Sequence, residues 1–529
     1  MNQITPPPRV EIIPPSAPFS EAQRSWLNGF FAGLLSDAPT PLTAEQGAAV
    51  MQGDGDDGEA PWHDQTMPIA DRMKLADGRP LRRRMMAAMA QQDCGQCGYN
   101  CHDYSEAIAI KSEARLNLCV PGGKETARML KSLYEEIDKA PAAPSSAPVP
   151  TSAAPIAVEP GRSRDNPAPA KFLSRRLLNG KGSEKETWHI EFDLSGCGLD
   201  YVVGDSFGIF ARNDLGLVDQ IIALLGASHT TEVRGKTLRE VLLEDVSLSP
   251  APDSLFELIS YLTGGALREK ARALAQGEDP DGDAATLDVM AVLQKFSKVR
   301  PHPEAFIEAL EPLQPRLYSI SSSHHATPGK LSLTVDCVRY VINKRQRLGL
   351  ASTFLAERIN PGDEVRVYVQ KAHGFALPQE PKTPIIMVGP GTGIAPFRAF
   401  LLDRRATGAP GKNWLFFGHQ RSDCDFFYAD ELNAMKTAGL LTRLSLAWSR
   451  DGDKKFYVQD RMRELGREVW TWLAEGAHIY ICGDAKRMAK DVERALVDIV
   501  AQFGARSTDE AIAFVADLKK KGRFQLDVY

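Results

Sequence analysis

The sequence contains 529 residues, of which 43% are hydrophobic and 25% charged. This composition supports a sizeable core and excludes disorder along the whole chain, and at about 150 residues per domain it leaves room for three units. The 63 Lys and Arg residues are offset by 68 Asp and Glu residues, giving a net charge of −5. That balance argues against a dedicated nucleic-acid-binding protein, which usually carries a basic excess.

The sequence shows no pattern of membrane insertion or secretion. No apolar run approaches the roughly 18 residues of a membrane-spanning helix, so we expect none. The first residues lack the basic region followed by an apolar region that marks a secretory signal. We therefore expect a cytoplasmic protein.

Residues 1–52 are predicted to form a helical segment. Apolar side chains from Phe19 onward recur at helical spacing, and Ser20 with Gln23 matches the capping-box pattern of a helix start. Such a stripe ordinarily packs inside the protein, and a docking face for a partner is the alternative. A polar stretch from Gly53 is expected to separate this segment from the next one.

Four of the eight cysteines fall close together in a predicted domain at 80–138. They are Cys94, Cys97, Cys101 and Cys119. A disulfide framework suits small secreted domains, so in this large chain the four thiols are better interpreted as ligands of a metal or cluster. Zinc sites made of four cysteines usually pair two separated C-x2-C knuckles, which are absent here. We therefore favour an iron–sulfur cluster and keep a Zn(Cys)4 site as the alternative.

The cysteine spacing suits a small α-helical domain around a cluster. Gly95 and Gly98 let the backbone wrap the cluster closely, and residues 105–116 are predicted to form a short helix that returns Cys119 to the site. The segments CGQCGY and CVPGG resemble the four-cysteine iron–sulfur domain of electron-transfer proteins such as the B subunit of the Rnf complex. The resemblance implies a [4Fe–4S] cluster, although three residues separate Cys97 from Cys101 where that domain has four.

Residues 139–170 are rich in Pro, Ala and Ser and carry almost no large apolar side chains. Such a segment cannot bury enough surface to offset its ordering entropy, so we expect a flexible, extended linker. It would join the cysteine domain to a C-terminal block of two domains, at 171–381 and 382–529.

Alternating strand patterns in 171–381 are interrupted by helical patterns at about 213–310. We interpret this segment as an antiparallel β-barrel with a helical insertion. One strand places Arg316 and Tyr318 on the same face, where an arginine can hold a diphosphate and a tyrosine ring can stack on a flavin. The helix that starts after Gly349 is a second candidate diphosphate site.

Strands alternate with helices in 382–529, which predicts an α/β doubly wound parallel sheet that binds ligands at the carboxyl ends of its strands. Gly389, Gly391 and Gly393 follow a buried strand and precede a helix, where the backbone can approach a pyrophosphate closely. A plain tight turn is the alternative. Ser449 and Arg450 follow another strand, where they could clamp a 2′-phosphate and select NADPH over NADH; a solvated loop is the alternative.

Six motifs in this order resemble the FAD/NADPH half of the diflavin reductases, in particular the flavoprotein (alpha) components of assimilatory sulfite reductases. They are RLYS, GLAS, GPGTGIAPFRAF, AWSRD followed by KFYVQDRMRE, IYICGDAKRMAKDVERAL and DVY. The resemblance spans about residues 170–529. It implies FAD and NADPH as cofactors and a ferredoxin–NADP reductase-like fold.

The resemblance also implies a role for each matching residue. Residues that would assist hydride transfer are Ser319, Cys482 and Asp527, with a plain buried strand thiol as the alternative for Cys482. The FAD site would consist of Arg316, Leu317, Tyr318, Ser319, Thr334, Val335, Asp336, Tyr340, Gly349, Leu350, Ala351 and Ser352, with Tyr529 covering the flavin ring. NADPH would be held by Gly389, Gly391, Thr392, Gly393, Ser449, Arg450, Lys455, Phe456, Tyr457, Val458, Gln459 and Asp491.

Two departures from the family pattern matter for function. No flavodoxin-like series of strands precedes the linker, so the cysteine domain stands where the family carries its FMN domain, and Ala376 replaces an arginine of the family. NADPH delivers two electrons as a hydride, whereas siroheme and iron–sulfur acceptors take one electron at a time, a mismatch that FAD can bridge.

We therefore expect electrons to pass from NADPH to FAD, to the [4Fe–4S] cluster and then to a siroheme sulfite reductase hemoprotein (beta) component, which reduces sulfite to sulfide. An assimilatory nitrate or nitrite reductase is the alternative acceptor. The alternative from a different functional class is a scaffold protein, in which a zinc-bearing binding module is tethered to a degenerate flavin fold. Either a homo-oligomer or a hetero-oligomer is compatible with the sequence.

Overall fold

The computed structural model describes residues 60–63, 67–92, 99, 101–119, 121–139, 159–372, 374–485 and 487–529. The predicted helical segment 1–52, most of the predicted linker, and Cys94 and Cys97 lie outside these residues. Across the described part of the chain, no helix is long and apolar enough to cross a membrane.

The residues around Cys101 and Cys119 form what we call the cysteine module, meaning the described residues between 81 and 139. Its helices are Leu81–Ala88, Cys101–Ala109 and Gly123–Lys139, and the helix Ile69–Leu75 precedes them. The side chains of its core are each at most 1% exposed: Met85, Tyr104, Ile108, Leu118 and Leu130. The predicted small helical domain is thus helical throughout its described elements.

The helix that we predicted over 105–116 instead begins at Cys101 and ends at Ala109. The amides of Ser112 and Glu113 both donate to the carbonyl of Ala107, at 2.9 and 3.0 Å, which closes the last turn. Lys111 adopts a left-handed φ of 60° and reverses the chain. Cys119 is therefore reached through an irregular segment and not through a continued helix.

The strands, in chain order, are β1 (Ala168–Leu177), β2 (Thr187–Asp193), β3 (Ser206–Ile209), β4 (Glu232–Val233), β5 (Lys236–Thr237), β6 (Arg316–Ser319), β7 (Lys330–Asp336), β8 (Arg339–Ile342), β9 (Arg345–Leu348), β10 (Glu364–Gln370), β11 (Ile385–Val388), β12 (Asn413–His419), β13 (Arg443–Trp448), β14 (His478–Gly483) and β15 (Phe524–Val528). The short pairs β4–β5 and β8–β9 are two-stranded ribbons.

The antiparallel barrel has the strand order β6-β3-β10-β1-β2-β7. A bridge between Ile320 and Leu333 joins the two ends of this order, so the sheet closes on itself and leaves no free edge there. Strand β1 starts at Ala168, inside the segment that we expected to be linker. The amide of Val369 also donates to the carbonyl of Gly161 at 2.9 Å, so the chain joins the barrel several residues before its first strand.

The helical insertion lies between β3 and β6, as the sequence pattern predicted. Its helices are Leu215–Leu225, Leu238–Glu244, Asp253–Leu262, Gly265–Ala275, Val289–Lys295 and Pro303–Glu308. They share a core of their own that includes Ile221, Leu255 and Phe306, all fully buried. After β9, the helix Leu350–Thr353 continues into a wider helical turn at Phe354–Arg358.

The last domain is a five-stranded sheet of order β13-β12-β11-β14-β15. Every pair in it is parallel, which confirms the doubly wound α/β prediction. Its helices are Ala395–Ala406, Ala429–Thr437, Val458–Glu464, Gly466–Ala474, Met488–Phe503 and Thr508–Lys520. The helices Val458–Glu464 and Gly466–Ala474 are separated at Leu465, and the sequence patterns did not predict the last helix or β15.

Candidate functional site

A cavity of about 1170 Å³ opens between the barrel, the parallel-sheet domain and the cysteine module. We call it the central cavity. It exceeds the roughly 300–1,000 Å³ that is typical of small-molecule sites, so it has room for large ligands. Residues that line it from the three regions include Leu317, Tyr318, Ser319, Thr334 and Asp336 of the barrel, Thr392, Asp527 and Tyr529 of the parallel-sheet domain, and Gln91 and Gln92 of the cysteine module.

Three residues predicted to assist hydride transfer meet beside this cavity, and two of them, Ser319 and Asp527, line it. The Ser319 hydroxyl donates to Oδ2 of Asp527 at 2.6 Å, and the Cys482 thiol lies 3.5 Å from the same oxygen. Cys482 and Asp527 are register partners on β14 and β15, which explains their pairing. Burial raises the pKa of Asp527, and the two hydrogen bonds partly oppose that rise. Burial, reinforced by Asp527, raises the pKa of the Cys482 thiol as well.

Tyr529 lies beside this cluster and is held at both its backbone and its side chain. Its amide donates to the carbonyl of Gly483 at 3.0 Å, and its hydroxyl lies 2.7 Å from Oγ1 of Thr392. The residue is still 52% exposed, so its ring lines the cavity without being enclosed by protein. That Tyr529 covers the flavin ring stays a prediction.

Arg316 is placed to hold an anion. Its guanidinium contacts only the carbonyls of Gln314 and Pro315, each at a long 3.4 Å, and forms no ion pair among the described residues. Burial lowers its pKa. An enclosed cation without a carboxylate partner is costly, and a diphosphate would satisfy it.

The helix start after Gly349 has the close-packed geometry of a phosphate-binding turn. A Cβ on Gly349 would lie 2.5 Å from the hydroxyl of Ser352 and 2.8 Å from Cβ of Val338, so only glycine fits. Ser352 is buried and accepts a hydrogen bond from the amide of Val338 at 3.1 Å. The first amides of this helix, those of Leu350 and Ala351, have no carbonyl within the helix to bind. Together with Arg316, these groups fit the diphosphate of FAD.

The other residues predicted for the FAD site do not all face the cavity. Thr334 and Asp336 line it, and the Asp336 carboxylate accepts a hydrogen bond from Thr187 at 3.1 Å. The side chain of Val335 instead lies in the barrel core, 1% exposed. Tyr340 is 48% exposed on the β8–β9 ribbon and does not line the cavity.

The glycine-rich turn follows β11 as predicted. Gly391 has a φ of 58°, which favours glycine. A Cβ on Gly393 would lie 2.1 Å from the carbonyl oxygen of Cys482, and one on Gly389 would lie 2.4 Å from the carbonyl oxygen of Gly393. The turn therefore packs directly against β14 and brings the helix Ala395–Ala406 to the carboxyl end of the sheet. This arrangement fits a pyrophosphate group.

Ser449 and Arg450 follow β13 at the same end of the sheet. The Ser449 amide donates to the carbonyl of His419 at 2.9 Å, and the Arg450 amide to that of Gln420 at 2.8 Å. The Arg450 guanidinium pairs with the carboxylate of Glu184, which comes from the β1–β2 loop of the barrel. No pattern in the sequence indicated that a carboxylate would meet this arginine.

The remaining residues predicted for NADPH differ in their accessibility. Lys455 is exposed, and Tyr457 is 42% exposed. Val458 is buried in the core of the domain, so its side chain does not face a ligand. Asp491 lies on the helix Met488–Phe503, 3.8 Å from Arg494. Two others are partly buried: Phe456 and Gln459.

The two described cysteines of the module are both free thiols. Cys101 is buried at the start of its helix, and the amides of Ala90 and Gly122 donate to the sulfur of Cys119. Burial raises the pKa of Cys119. Amide donors to sulfur and a nearby glycine turn fit a cluster ligand. Among the described residues, no three acidic, histidine or cysteine side chains are grouped to hold a metal ion.

Sequence reasoning missed the contacts that join the barrel to the parallel-sheet domain. Asp425, fully buried, accepts hydrogen bonds from Asn179 at 2.8 Å and Ser183 at 2.5 Å. The Tyr428 hydroxyl lies 2.7 Å from Oγ1 of Thr334, and the Arg398 guanidinium lies 4.8 Å from the Tyr428 ring centroid. No local pattern marks these residues, because each acquires its partner only when the two domains pack.

Two family models match the chain, and together they define its class. Residues 160–354 match the FAD binding domain, and residues 387–494 match the oxidoreductase NAD-binding domain. The chain therefore carries an FAD-binding domain followed by an oxidoreductase NAD-binding domain, in agreement with the antiparallel barrel and the parallel sheet.

Curated relatives give a more particular likeness. The chain is 44% identical over 367 residues to the sulfite reductase [NADPH] flavoprotein alpha-component of Photorhabdus laumondii. It is 43% identical over 373 residues to the protein of the same name from Escherichia coli O9:H4 (strain HS). Each match covers 69% of this chain and 61% of the relative, so the chain spans about three fifths of the relatives' length.

Proposed function

We propose that this protein is an NADPH-dependent electron-transfer flavoprotein that passes electrons from NADPH to FAD, then to a [4Fe–4S] cluster and on to a siroheme sulfite reductase component. The observation that carries the proposal is the meeting of Ser319, Cys482 and Asp527 at the central cavity, because it joins the FAD-binding and NAD-binding domains at one chemical site. The names of the relatives support sulfite as the final substrate.

When bound, FAD accepts a hydride from NADPH and releases electrons singly, and a [4Fe–4S] cluster carries one electron at a time. Asp527 accepts hydrogen bonds from Ser319 and Cys482, so it fixes Ser319 at the wall of the cavity and holds the buried Cys482 thiol beside it. The thiol of Cys482 is fully buried, and the raised pKa that burial produces keeps it protonated and neutral. These residues would orient a nicotinamide ring and exclude water without adding a competing nucleophile.

Other residues of the barrel and of the parallel-sheet domain would divide the remaining work. Arg316 and the amides after Gly349 would hold the FAD diphosphate, and Tyr529 would cover the flavin until nicotinamide displaces it. The turn at Gly391 would receive the pyrophosphate of NADPH, and Arg450 its 2′-phosphate.

The cluster would be held by Cys94, Cys97, Cys101 and Cys119. The amide donors to the Cys119 sulfur support this assignment, since hydrogen bonds to cluster sulfurs stabilise the bound cluster and tune its potential. The cysteine module borders the same cavity as Tyr529, which supports an electron path between the two.

The test is an anaerobic purification of the full chain followed by titration with NADPH. We expect FAD and about four iron atoms with inorganic sulfide per chain. NADPH should bleach the flavin absorbance first and the broad cluster absorbance afterwards. Addition of a purified siroheme sulfite reductase hemoprotein and sulfite should then give sulfide with consumption of NADPH.

Each possible result bears on a separate part of the proposal. Zinc without iron or sulfide would overturn the cluster but leave the flavin chemistry intact. The proposed acceptor would be overturned if no sulfide forms with the sulfite reductase hemoprotein but NADPH is consumed with a nitrite or nitrate reductase. Absence of FAD together with no NADPH oxidation by any artificial acceptor would overturn the whole proposal.

A further inference from the structure

The cysteine module contacts the helical insertion at the carboxylate of Asp253. Asp253 is the first residue of the helix Asp253–Leu262, and Arg128 reaches both of its oxygens, from Nε and from Nη2, each at 3.0 Å. Lys124 Nζ lies 3.3 Å from Oδ1 of the same residue. Two cations from the helix Gly123–Lys139 thus share one acidic residue.

The neighbourhood of Asp253 favours its ion pairs with the module over a capping bond within its own helix. The N-cap of its helix is Pro252, and no side-chain capping bond is present, so the carboxylate is not used to cap its own helix. Lys124 also lies 5.4 Å from the ring centroid of Phe256, one turn further on. A Cβ on Gly277, which has a φ of 89°, would lie 2.5 Å from the Arg128 guanidinium, so the insertion leaves space for this side chain.

The other side of the module faces the central cavity. Gln91 and Gln92 line that cavity together with Ser319 and Tyr529. Oε1 of Gln92 is buried and has no hydrogen-bond partner in the described part of the chain. In the sequence, Gln92 precedes the first predicted cluster ligand by two residues. While Asp253 holds Lys124 and Arg128, the module therefore borders the proposed flavin site.

We propose that Lys124, Arg128 and Asp253 form an ionic latch that holds the cysteine module docked beside the flavin cavity, and that opening of the latch frees the module for the partner protein. This inference rests on the proposed function. The latch residues are accessible, with side chains that are 35%, 42% and 32% exposed, respectively. Exposed pairs of this kind are weak and screened by salt, which makes the docking reversible.

The test compares Asp253→Arg with the exchange variant that combines Asp253→Arg and Arg128→Asp in the full chain. Small-angle X-ray scattering at low and at high salt reports docking whether or not cofactors are bound. The wild type should be compact at low salt and expand at high salt. Asp253→Arg should be expanded at both, because it sets three cations against one another. The exchange variant should recover the compact form, because it restores opposite charges at positions 128 and 253.

Asp245→Arg is the matched control, since Asp245 pairs with Lys236 within the same insertion.

Rapid mixing with NADPH gives a second readout. The reduction of the cluster should slow by about five- to tenfold in Asp253→Arg at low salt, with unchanged reduction of the flavin. Identical scattering of the wild type and Asp253→Arg would overturn the latch, even if both cofactors are present and the proposed function holds. Salt-dependent docking in a protein that binds no iron would instead support the latch and overturn the cluster assignment.

Discussion

The hydroxyl of Ser319 donates to the carboxylate of Asp527 at 2.6 Å and so joins barrel strand β6 to β15 of the parallel sheet. The bond spans the junction of the two domains at the wall of the central cavity. The position of the Asp527 carboxylate depends on this hydrogen bond and on the thiol of Cys482. The first prediction follows from this dependence.

Replacing Asp527 by Asn should slow electron transfer from NADPH to ferricyanide by about 10²-fold or more while FAD remains bound, because the carboxylate that accepts from two donors becomes a neutral amide with only one accepting oxygen. Ser319→Ala should have a smaller effect in the same direction. Steady-state kcat and the flavin absorbance measure the two quantities. Ser322→Ala is the control, since Ser322 bonds to Tyr201 inside the barrel. Wild-type kcat in Asp527→Asn would contradict a catalytic role for this site.

A second prediction concerns Glu184, which pairs with Arg450 where the 2′-phosphate of NADPH is expected to bind. The phosphate must displace this carboxylate, so Glu184→Gln should lower the KM for NADPH by about two- to fivefold. The KM for NADH, which lacks the phosphate, should not change. Glu186→Gln provides a matched control, because Glu186 pairs with Arg339 on the β8–β9 ribbon. An equal fall in KM for both nucleotides would show that Glu184 does not compete with the 2′-phosphate.

Glu184 also illustrates what the sequence could and could not predict. The glycine turn, Ser449 and Arg450 were placed correctly at the ends of parallel strands, because buried strands and glycine-rich turns leave strong local patterns. The carboxylate that meets Arg450 lies 266 residues away along the chain, in a loop of another domain. No periodicity connects two such positions, so only the packed structure brings them together.

The same reasoning explains the errors in the predicted elements. Strand β15 has only two buried residues, Phe524 and Val528, and it exists because β14 offers a parallel edge for it to pair with. The helix predicted over 105–116 has helical composition, yet the capping bonds to Ala107 end it early. Val335 was assigned to the FAD site from the family resemblance; its side chain lies inside the barrel, and its role stays a prediction.

The third prediction tests the cluster through Cys119. Cys119→Ser should lose most of the iron and the broad cluster absorbance while it keeps FAD and ferricyanide reduction, because the flavin site lies in other domains. Sulfide production with the hemoprotein should be lost. Cys197→Ser is the control, since that thiol donates to the carbonyl of Leu194 in the barrel region. Full retention of iron and sulfide in Cys119→Ser would exclude Cys119 as a ligand.

The final prediction uses His189, a barrel residue that lies 3.0 Å from the hydroxyl of Tyr428 in the neighbouring domain. Burial, assisted by the positive charge of Arg398, lowers the pKa of His189 from 6.5 to about 4. Between these two values the unfolded chain therefore binds a proton at this position that the folded protein does not. The free energy of unfolding should fall with decreasing pH in this window, by at most about 1.4 kcal/mol per pH unit for one histidine.

The melting temperature of His189→Gln should thus decline less steeply than that of the wild type as the pH falls from neutral to about 5. Burial lowers the pKa of His419 and His478 too, so part of the slope should persist in the variant. His229→Gln, at a half-exposed site, should follow the wild-type profile. Equal slopes for His189→Gln and the wild type would show that the contact between His189 and Tyr428 does not couple the domain junction to protonation.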